Sequence, residues 1–309
     1  MRVRILGSAA GGGLPQWNCR CPNCSGVRAG SPEISARTQS SLAITADGAR
    51  WFLFNVSPDI RQQIQATPEL TPAGGGGRAT AIAGCVLTDA ELDHMSGLLL
   101  IREGCSFPVV STPLVREWLT EHFPVAPVLS HFAPRPWIDL PLDDSIEMPA
   151  GADEAASGLR LRAFEVGRDV PRFVVGTEAA DAVGSVIGLE ITDVARGTRL
   201  VYAPGVPTVN DALREAAEGA DALMMDGTFW SDEEPRTTGI TDITAREMGH
   251  LPVDGAGGSL SWIGGLPIRH RVYVHINNTN PMLNDSGSER RRVDAAGVRV
   301  GADGDVFDL

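Results

Sequence analysis

The chain has 309 residues, of which 43% are hydrophobic and 21% charged, and it contains 35 glycines and 21 prolines. This length can bury one large core or two smaller ones, and the glycine and proline content predicts many loops. A net charge of −13 argues against nucleic-acid binding, because a phosphate-binding surface needs a basic field. The N-terminal sequence MRVRILGSAAGGG lacks the apolar stretch of a signal peptide, and no apolar run approaches a membrane span. We therefore expect a cytoplasmic protein.

Alternating and apolar runs predict strands in the N-terminal part of the chain, at 2–6, 41–46, 50–55, 80–87 and 108–111. The run 80–87 is continuously apolar, which is typical of a strand buried on both faces. Helices are predicted at 59–66, 95–103 and 115–122, and a flexible loop at 71–77.

The C-terminal part continues in the same mixed pattern. Strands are predicted at 159–166, 183–191, 199–202, 222–225 and 272–276, and helices at 210–218 and 242–248. The first three of these strands alternate as antiparallel strands do. No long linker marks a domain boundary, and helices and strands are interleaved without strict βαβ order. This pattern predicts sheets covered by helices on their outer faces.

Three of the five cysteines lie within six positions, as Cys19, Cys21 and Cys24 in a CxCxxC spacing. A tight turn at Pro22 would let several sulfurs reach one zinc ion at about 2.3 Å. An odd cysteine count and close thiols favour a metal over a disulfide framework, in a reducing compartment. The alternatives are unrelated buried thiols or a redox pair. We predict structural zinc, with a fourth ligand from elsewhere in the chain.

A second set of candidate ligands follows the apolar run 80–87, in the segment TDAELDH. Alternation would place Asp89, Glu91 and Asp93 on one side of an extended segment, with His94 beside them. The alternative is a helix start with acidic residues in its first turn.

Two further histidines are candidate site residues. His275 lies at the end of the predicted strand 272–276, beside an amide-rich stretch, which makes it a better ligand candidate than an isolated histidine usually is. Asp226 follows the strand 222–225, and His250 lies in the segment GHLP. A carboxylate that orients an imidazole is a common acid/base arrangement, and the sequence leaves open whether the two residues touch.

The segment TDAELDH resembles the HxHxDH motif of the metallo-β-lactamase superfamily, with Asp89 and Glu91 in place of the two first-site histidines. The chain resembles, more specifically, the PqqB family of pyrroloquinoline quinone (PQQ) biosynthesis proteins. That resemblance covers essentially the whole chain, including GGGLPQWNCRCPNC, FNVSPDIRQQI, TDAELDHMSGLLLIREG, MMDGTFW, MGHLPV and HINNTNPML. It implies an α/β (α+β) fold, an αββα sandwich of two mixed sheets flanked by helices, in one domain over residues 1–309.

The resemblance also implies one reactive metal, held by Asp93, His94 and His275. The superfamily's bridging aspartate is missing, because Ala203-Pro204 follows the strand 199–202. One carboxylate and two histidines match the facial triad of non-haem Fe(II) oxygenases. Asp89 and Glu91 would then lie beside the metal as supporting residues.

The remaining candidates acquire roles by the same resemblance. Asp226 and His250 fall where related phosphodiesterases and nucleases keep an acid/base pair. Relatives with the cysteine motif supply the fourth zinc ligand as a histidine where this chain has Asn278. That residue would therefore support the zinc site, and its fourth ligand stays open.

The function implied is an Fe(II)- and O2-dependent hydroxylation of the tyrosine-derived ring of a cross-linked Glu–Tyr dipeptide, with Zn²⁺ as a structural cofactor. A rival function is a carrier that binds PQQ or its precursor and assists transport to the periplasm, and a third is a metal-dependent hydrolase. The expected partners are the small-molecule substrate, O2 and other PQQ-pathway proteins, without nucleic acid or membrane. A homodimer is left open.

Overall fold

A computed structural model describes residues 1–72, 77–150, 155–176 and 183–309; positions 73–76 of the predicted loop 71–77 lie outside the described residues. The strands are β1 (Arg2–Gly7), β2 (Ser41–Thr45), β3 (Trp51–Phe54), β4 (Ile82–Val86), β5 (Val109–Ser111), β6 (Trp137–Asp139), β7 (Ser145–Ala150), β8 (Ala155–Gly167), β9 (Val186–Asp193), β10 (Arg199–Ala203), β11 (Ala222–Asp226), β12 (His270–Val274), β13 (Arg299–Val300) and β14 (Val306–Asp308). The α-helices are α1 (Pro22–Arg28), α2 (Ile60–Ala66), α3 (Leu92–Met95), α4 (Pro113–Glu121), α5 (Val125–Ser130), α6 (Asp211–Ala217), α7 (Glu234–Thr237), α8 (Ser259–Gly265) and α9 (Ser288–Ala295).

The strands form two mixed sheets of seven strands each, in the orders β14-β1-β2-β3-β4-β5-β6 and β13-β12-β11-β10-β9-β8-β7. Apolar side chains from both sheets form one core cluster, in which Phe54 of β3 belongs with Leu189 of β9 and Met224 of β11. Two further clusters join the opposite sheet faces to helices, with Trp118 of α4 in one and Leu213 of α6 in the other. The predicted αββα sandwich is confirmed.

The candidate site residues follow strands that end at the same edge of the sandwich. In the second sheet β10, β11 and β12 run parallel, with Ala203 paired to Met225 and Asp226 paired to Val274. In the first sheet β3, β4 and β5 are also parallel, and β4 leads directly into TDAELDH. Carboxyl ends of neighbouring parallel strands are where ligands commonly bind in α/β sheets.

Several local predictions need correction. The predicted helix 242–248 is wrong, because only Arg246–Met248 forms a 3-10 turn, which Gly249 ends with a φ of 81°. The predicted helix 95–103 is instead the end of α3 followed by the 3-10 helix Ser96–Ile101. The predicted extended alternation through 89–93 is also wrong, because α3 begins at Leu92 and turns Asp93 away from the earlier direction.

The antiparallel pairing of β8, β9 and β10 is confirmed. Within the described ranges, every helix is too short or too polar to cross a membrane.

Candidate metal centre

Three predicted ligands meet at the strand-end edge of the sandwich. Asp93 and His94 lie in the first turn of α3, and His275 directly follows β12 in a left-handed conformation with a φ of 53°. One ligand atom from each of the three lies within 4.8 Å of the other two. The Asp93 Oδ2 atom is 3.3 Å from His275 Nε2 and 3.9 Å from His94 Nε2. Residues separated by more than 180 positions therefore form one compact group of one carboxylate and two imidazoles.

The donor set fits a metal cation. His94 Nε2 is buried and has no hydrogen-bond partner among the described residues, although buried polar atoms are normally paired. Burial lowers the pKa of His94, but the carboxylates of Asp89 and Asp93 outweigh it and raise the pKa to about 9. Burial raises the pKa of Asp93, but His94 and His275 hold it well below its ordinary value. A cation among these groups would satisfy the orphaned nitrogen and the ionised carboxylate together.

Asp226 and His250 do touch. His250 Nδ1 donates to Asp226 Oδ2 at 2.7 Å, and the His250 ring stacks on His275 with centroids 5.4 Å apart. Asp226 is fully buried, and its Oδ2 also accepts from the Val206 backbone N–H at 2.9 Å. Burial lowers the pKa of His250, but Asp226 outweighs burial and raises it. The Asp226 carboxylate thus accepts hydrogen bonds from His250 Nδ1 and from the backbone, and within the described residues no hydrogen bond of His250 Nε2 is seen.

Thr228 was not predicted from the sequence as part of this centre. Thr228 Oγ1 lies 2.5 Å from Asp226 Oδ1 and 2.8 Å from His275 Nδ1, which links the buried carboxylate to the metal-ligand candidate. This contact leaves the His275 Nε2 atom facing Asp93. The sequence feature that could have indicated Thr228 is its hydroxyl two positions after the strand-end carboxylate of Asp226, in the segment MMDGTFW.

Asp89 and Glu91, which stand in place of the superfamily's two first-site histidines, lie in different surroundings. Asp89 is buried and accepts from His94 Nδ1, at 2.8 Å on Oδ1 and 2.7 Å on Oδ2. Glu91 is exposed, and its backbone N–H donates to Asp89. β10 ends at Ala203, and no carboxylate follows it in the segment Ala203-Pro204-Gly205.

The three knuckle cysteines, Cys19, Cys21 and Cys24, also come together, with their sulfurs within 4.8 Å of one another. Cys21 caps α1, and Pro22 opens that helix, so the turn is as tight as the spacing predicted. The side-chain amide of Asn278 faces all three sulfurs, with Nδ2 at 3.1 Å from Cys19, 3.5 Å from Cys21 and 3.3 Å from Cys24. The Asn278 amide therefore lies within hydrogen-bonding distance of all three sulfurs.

Comparisons with known proteins agree with this fold. The family model "Beta-lactamase superfamily domain" matches residues 50–276. Coenzyme PQQ synthesis protein B of Pseudomonas putida (strain W619) is 43% identical over 100% of both chains, and that of Ectopseudomonas mendocina (strain ymp) is 44% identical over 98% of both. The crystal structure of Zn²⁺-bound PqqB from Methylobacterium extorquens is 39% identical over 100% of both chains, with a TM-score of 0.90. A diphosphatase from the PhnP family shares the fold, at 19% identity and a TM-score of 0.69. The chain belongs to the beta-lactamase superfamily and, within it, to the family of coenzyme PQQ synthesis protein B.

Proposed function

We propose that this protein acts in PQQ biosynthesis as a mononuclear Fe(II) oxygenase that hydroxylates the tyrosine-derived ring of a cross-linked Glu–Tyr dipeptide. The names of its relatives support the pathway. The observation that carries the reaction class is the set of Asp93, His94 and His275, in which a buried imidazole nitrogen lacks a partner within the described structure. One carboxylate and two imidazoles suit Fe(II) and leave positions free for O2 and substrate.

The protein residues would perform two tasks. Asp93, His94 and His275 would hold the ion, and Fe(II) supplies the redox chemistry that activates O2. His250 would accept or return a proton at Nε2, because its Nδ1 is held by Asp226. Each hydroxylation puts one oxygen atom of O2 on the ring and releases the other as water, which consumes two protons and two electrons. An ascorbate-class reductant would supply the electrons.

The residues at the superfamily's first-site and bridging positions favour one reactive ion over two. The oxygens of Asp89 are occupied by hydrogen bonds, and Ala203-Pro204 offers no bridging carboxylate. A crystal soaked with excess Fe(II) or Zn(II) should therefore show one ion next to Asp93, apart from the knuckle. Two ions about 3.5–4 Å apart would favour a hydrolase instead.

The direct test is anaerobic reconstitution with Fe(II), followed by addition of the dipeptide, ascorbate and O2. We expect substrate-dependent oxygen uptake and a hydroxylated product by mass spectrometry. His275→Ala should abolish oxygen uptake and product formation and should lose the iron. His131→Ala, at an exposed position after α5, should leave all three unchanged. Tight binding of precursor or PQQ without oxygen uptake under any metal loading would contradict the oxygenase and favour the carrier.

A further inference from the structure

Asp89 has a hydrogen-bond environment unlike that of a metal ligand. It stands where the superfamily keeps a first-site histidine, but it is only 3% exposed. Its Oδ1 accepts from the backbone N–H of Glu91 at 2.9 Å, and its Oδ2 accepts from Thr88 Oγ1 at 2.8 Å. The His94 Nδ1 atom contacts both oxygens, at 2.8 and 2.7 Å. Each oxygen is therefore already shared between two donors of the chain.

We propose that Asp89 is a positioning residue that keeps the proton of His94 on Nδ1 and thereby aims the bare Nε2 nitrogen at the metal position next to Asp93. The inference deepens the proposed function, since it concerns the same ion. A metal-bound imidazole is neutral, with one protonated and one coordinating nitrogen, and the hydrogen bond at the protonated nitrogen decides which is which. Carboxylates paired in this way with a metal-binding histidine orient the ring and increase its basicity.

The position of Asp89 is itself held by a buried chain of polar groups. Asn55 Nδ2 donates to Thr88 Oγ1 at 2.9 Å, and the Thr88 backbone N–H donates to Asn55 Oδ1 at 3.0 Å. Asn55 and Thr88 are both fully buried, and Asn55 takes a left-handed backbone conformation with a φ of 59° directly after β3. The Thr88 hydroxyl is thereby fixed to face Asp89. Such a support limits the carboxylate to one orientation, as a ring-orienting group requires.

The other side of the centre repeats this arrangement independently. Asp226 engages His250 at Nδ1 directly, and it engages Nδ1 of His275 through Thr228. All three imidazoles therefore have Nδ1 turned toward an internal carboxylate or hydroxyl. Glu91 offers a contrast, because it carries a carboxylate next to the same site without a hydrogen bond to His94 in the described structure.

The test uses Zn(II) as a diamagnetic probe, so it does not depend on iron or on oxygenase activity. In protein whose knuckle already holds zinc, a further equivalent of Zn(II) should give a strongly downfield Nδ1–H proton signal from His94, assigned through ¹⁵N labelling. Asp89→Ala should remove that signal and weaken Zn(II) binding at this site by about 10–100-fold. Asp89→Asn keeps the size and one acceptor oxygen, so it should retain the ring proton and most of the affinity.

The matched control is Glu91→Gln, which removes a neighbouring ionisable carboxyl but no hydrogen bond to His94 within the described structure. We expect it to change the Zn(II) affinity much less than Asp89→Ala does. Absence of the downfield proton in the unmodified protein would overturn the inference, whatever the variants do. Equal losses of affinity in Glu91→Gln and Asp89→Ala would also overturn it, by showing that only charge matters. A positive result without oxygen uptake would leave Asp89 assigned and refute only the oxygenase.

Discussion

The three imidazoles at the metal centre differ in how they lie relative to Asp93. His94 and His275 direct Nε2 toward Asp93, whereas His250 stacks on His275 from the side of Asp226. A residue next to a metal ligand can affect turnover without affecting metal binding. His250 is the residue at which these two effects should separate.

We predict that His250→Gln slows turnover by about 10²–10⁴, the usual range for a lost proton-transfer group, with a full complement of iron. Turnover and iron content measured on the same samples check this. Asp226→Asn should slow turnover through the same imidazole and also leave the iron in place. Loss of iron in proportion to activity would instead make His250 a ligand.

Among the secondary-structure elements, the 3-10 helix Ser96–Ile101 controls where α3 can lie. Its Gly97 backbone N–H donates to Val56 O at 2.9 Å, and an added Cβ would lie only 2.1 Å from the backbone oxygen of Ser57. His94 is also bonded to the loop after β3, because the Val56 N–H donates to His94 O at 2.6 Å. The glycine is needed so that α3, with Asp93 and His94, can pack directly on the end of β3.

Gly97→Ala should therefore destabilise the fold by about 1–3 kcal/mol, the usual cost of overpacking, and displace His94. Urea unfolding measures the first effect, and Zn(II) affinity at the reactive site measures the second. Gly48→Ala provides the matched comparison for glycine replacement, because nothing lies within 4 Å of its added Cβ, although its φ of 80° adds a local cost. Unchanged stability and affinity in Gly97→Ala would contradict this account of the glycine.

The first residue of α7 connects that helix to the loop after His275. Glu234 accepts from the Trp230 N–H at 2.5 Å and from Thr279 Oγ1 at 2.6 Å. Burial raises the pKa of Glu234 to about 7, against the hydrogen bonds that lower it. Because the pKa is raised on folding, the stability from this group is full below about pH 4.5 and is lost as the pH rises to about 7.

Glu234→Gln should remove that loss. We expect the unmodified protein to lose up to about 3 kcal/mol relative to the variant between pH 4.5 and pH 8, from 1.36 kcal/mol per unit of pKa shift. Unfolding free energies at several pH values check the prediction. The neighbouring exposed Glu233→Gln should show no such difference. Parallel stability curves for Glu234→Gln and the unmodified protein would show that the buried carboxyl titrates normally.

In the whole molecule, the knuckle joins the N-terminal loop to the loop after β12. Asn278 comes three residues after His275 and contacts sulfurs more than 250 positions away. On the other side, an added Cβ at Gly11 would lie 3.3 Å from Asp93 Oδ2, so the loop that leads to Cys19 lies against the metal centre. Zinc in the knuckle would therefore stabilise both walls of that centre.

Cys21→Ser should lower the zinc content and the melting temperature, because the binding energy of a structural ion is folding energy. Asn278→His should hold zinc more tightly against a chelator, because an imidazole can supply the fourth ligand. Asn278→Leu should hold it less tightly, because it removes the amide that contacts the three sulfurs. Cys105→Ser, outside the knuckle, should change neither quantity. A full zinc equivalent and an unchanged melting temperature in Cys21→Ser would contradict a structural zinc site.

The sequence alone determined the local features of this protein. Period-two and continuous apolar runs located most of the strands that carry the site, because each depends on a few adjacent residues. The cysteine spacing and the motif TDAELDH likewise identified candidate ligands within one short segment. The prediction of a helix at 242–248 was wrong, because local helix propensity does not reveal that only a short 3-10 turn forms there before Gly249.

Only the tertiary structure decided which distant groups meet. The contacts of Asp226 with His250, of Asp93 with His275 and of Asn278 with the cysteines span 24, 182 and up to 259 positions. These contacts depend on which strands are neighbours and on the sheet edge at which the strands end. Hydrophobic periodicity predicts neither the strand order nor that edge. The role of Thr228 and the commitment of Asp89 to His94 also came from the fold alone. Hydrogen bonds of this kind depend on side-chain direction at strand ends, which packing between the two sheets determines.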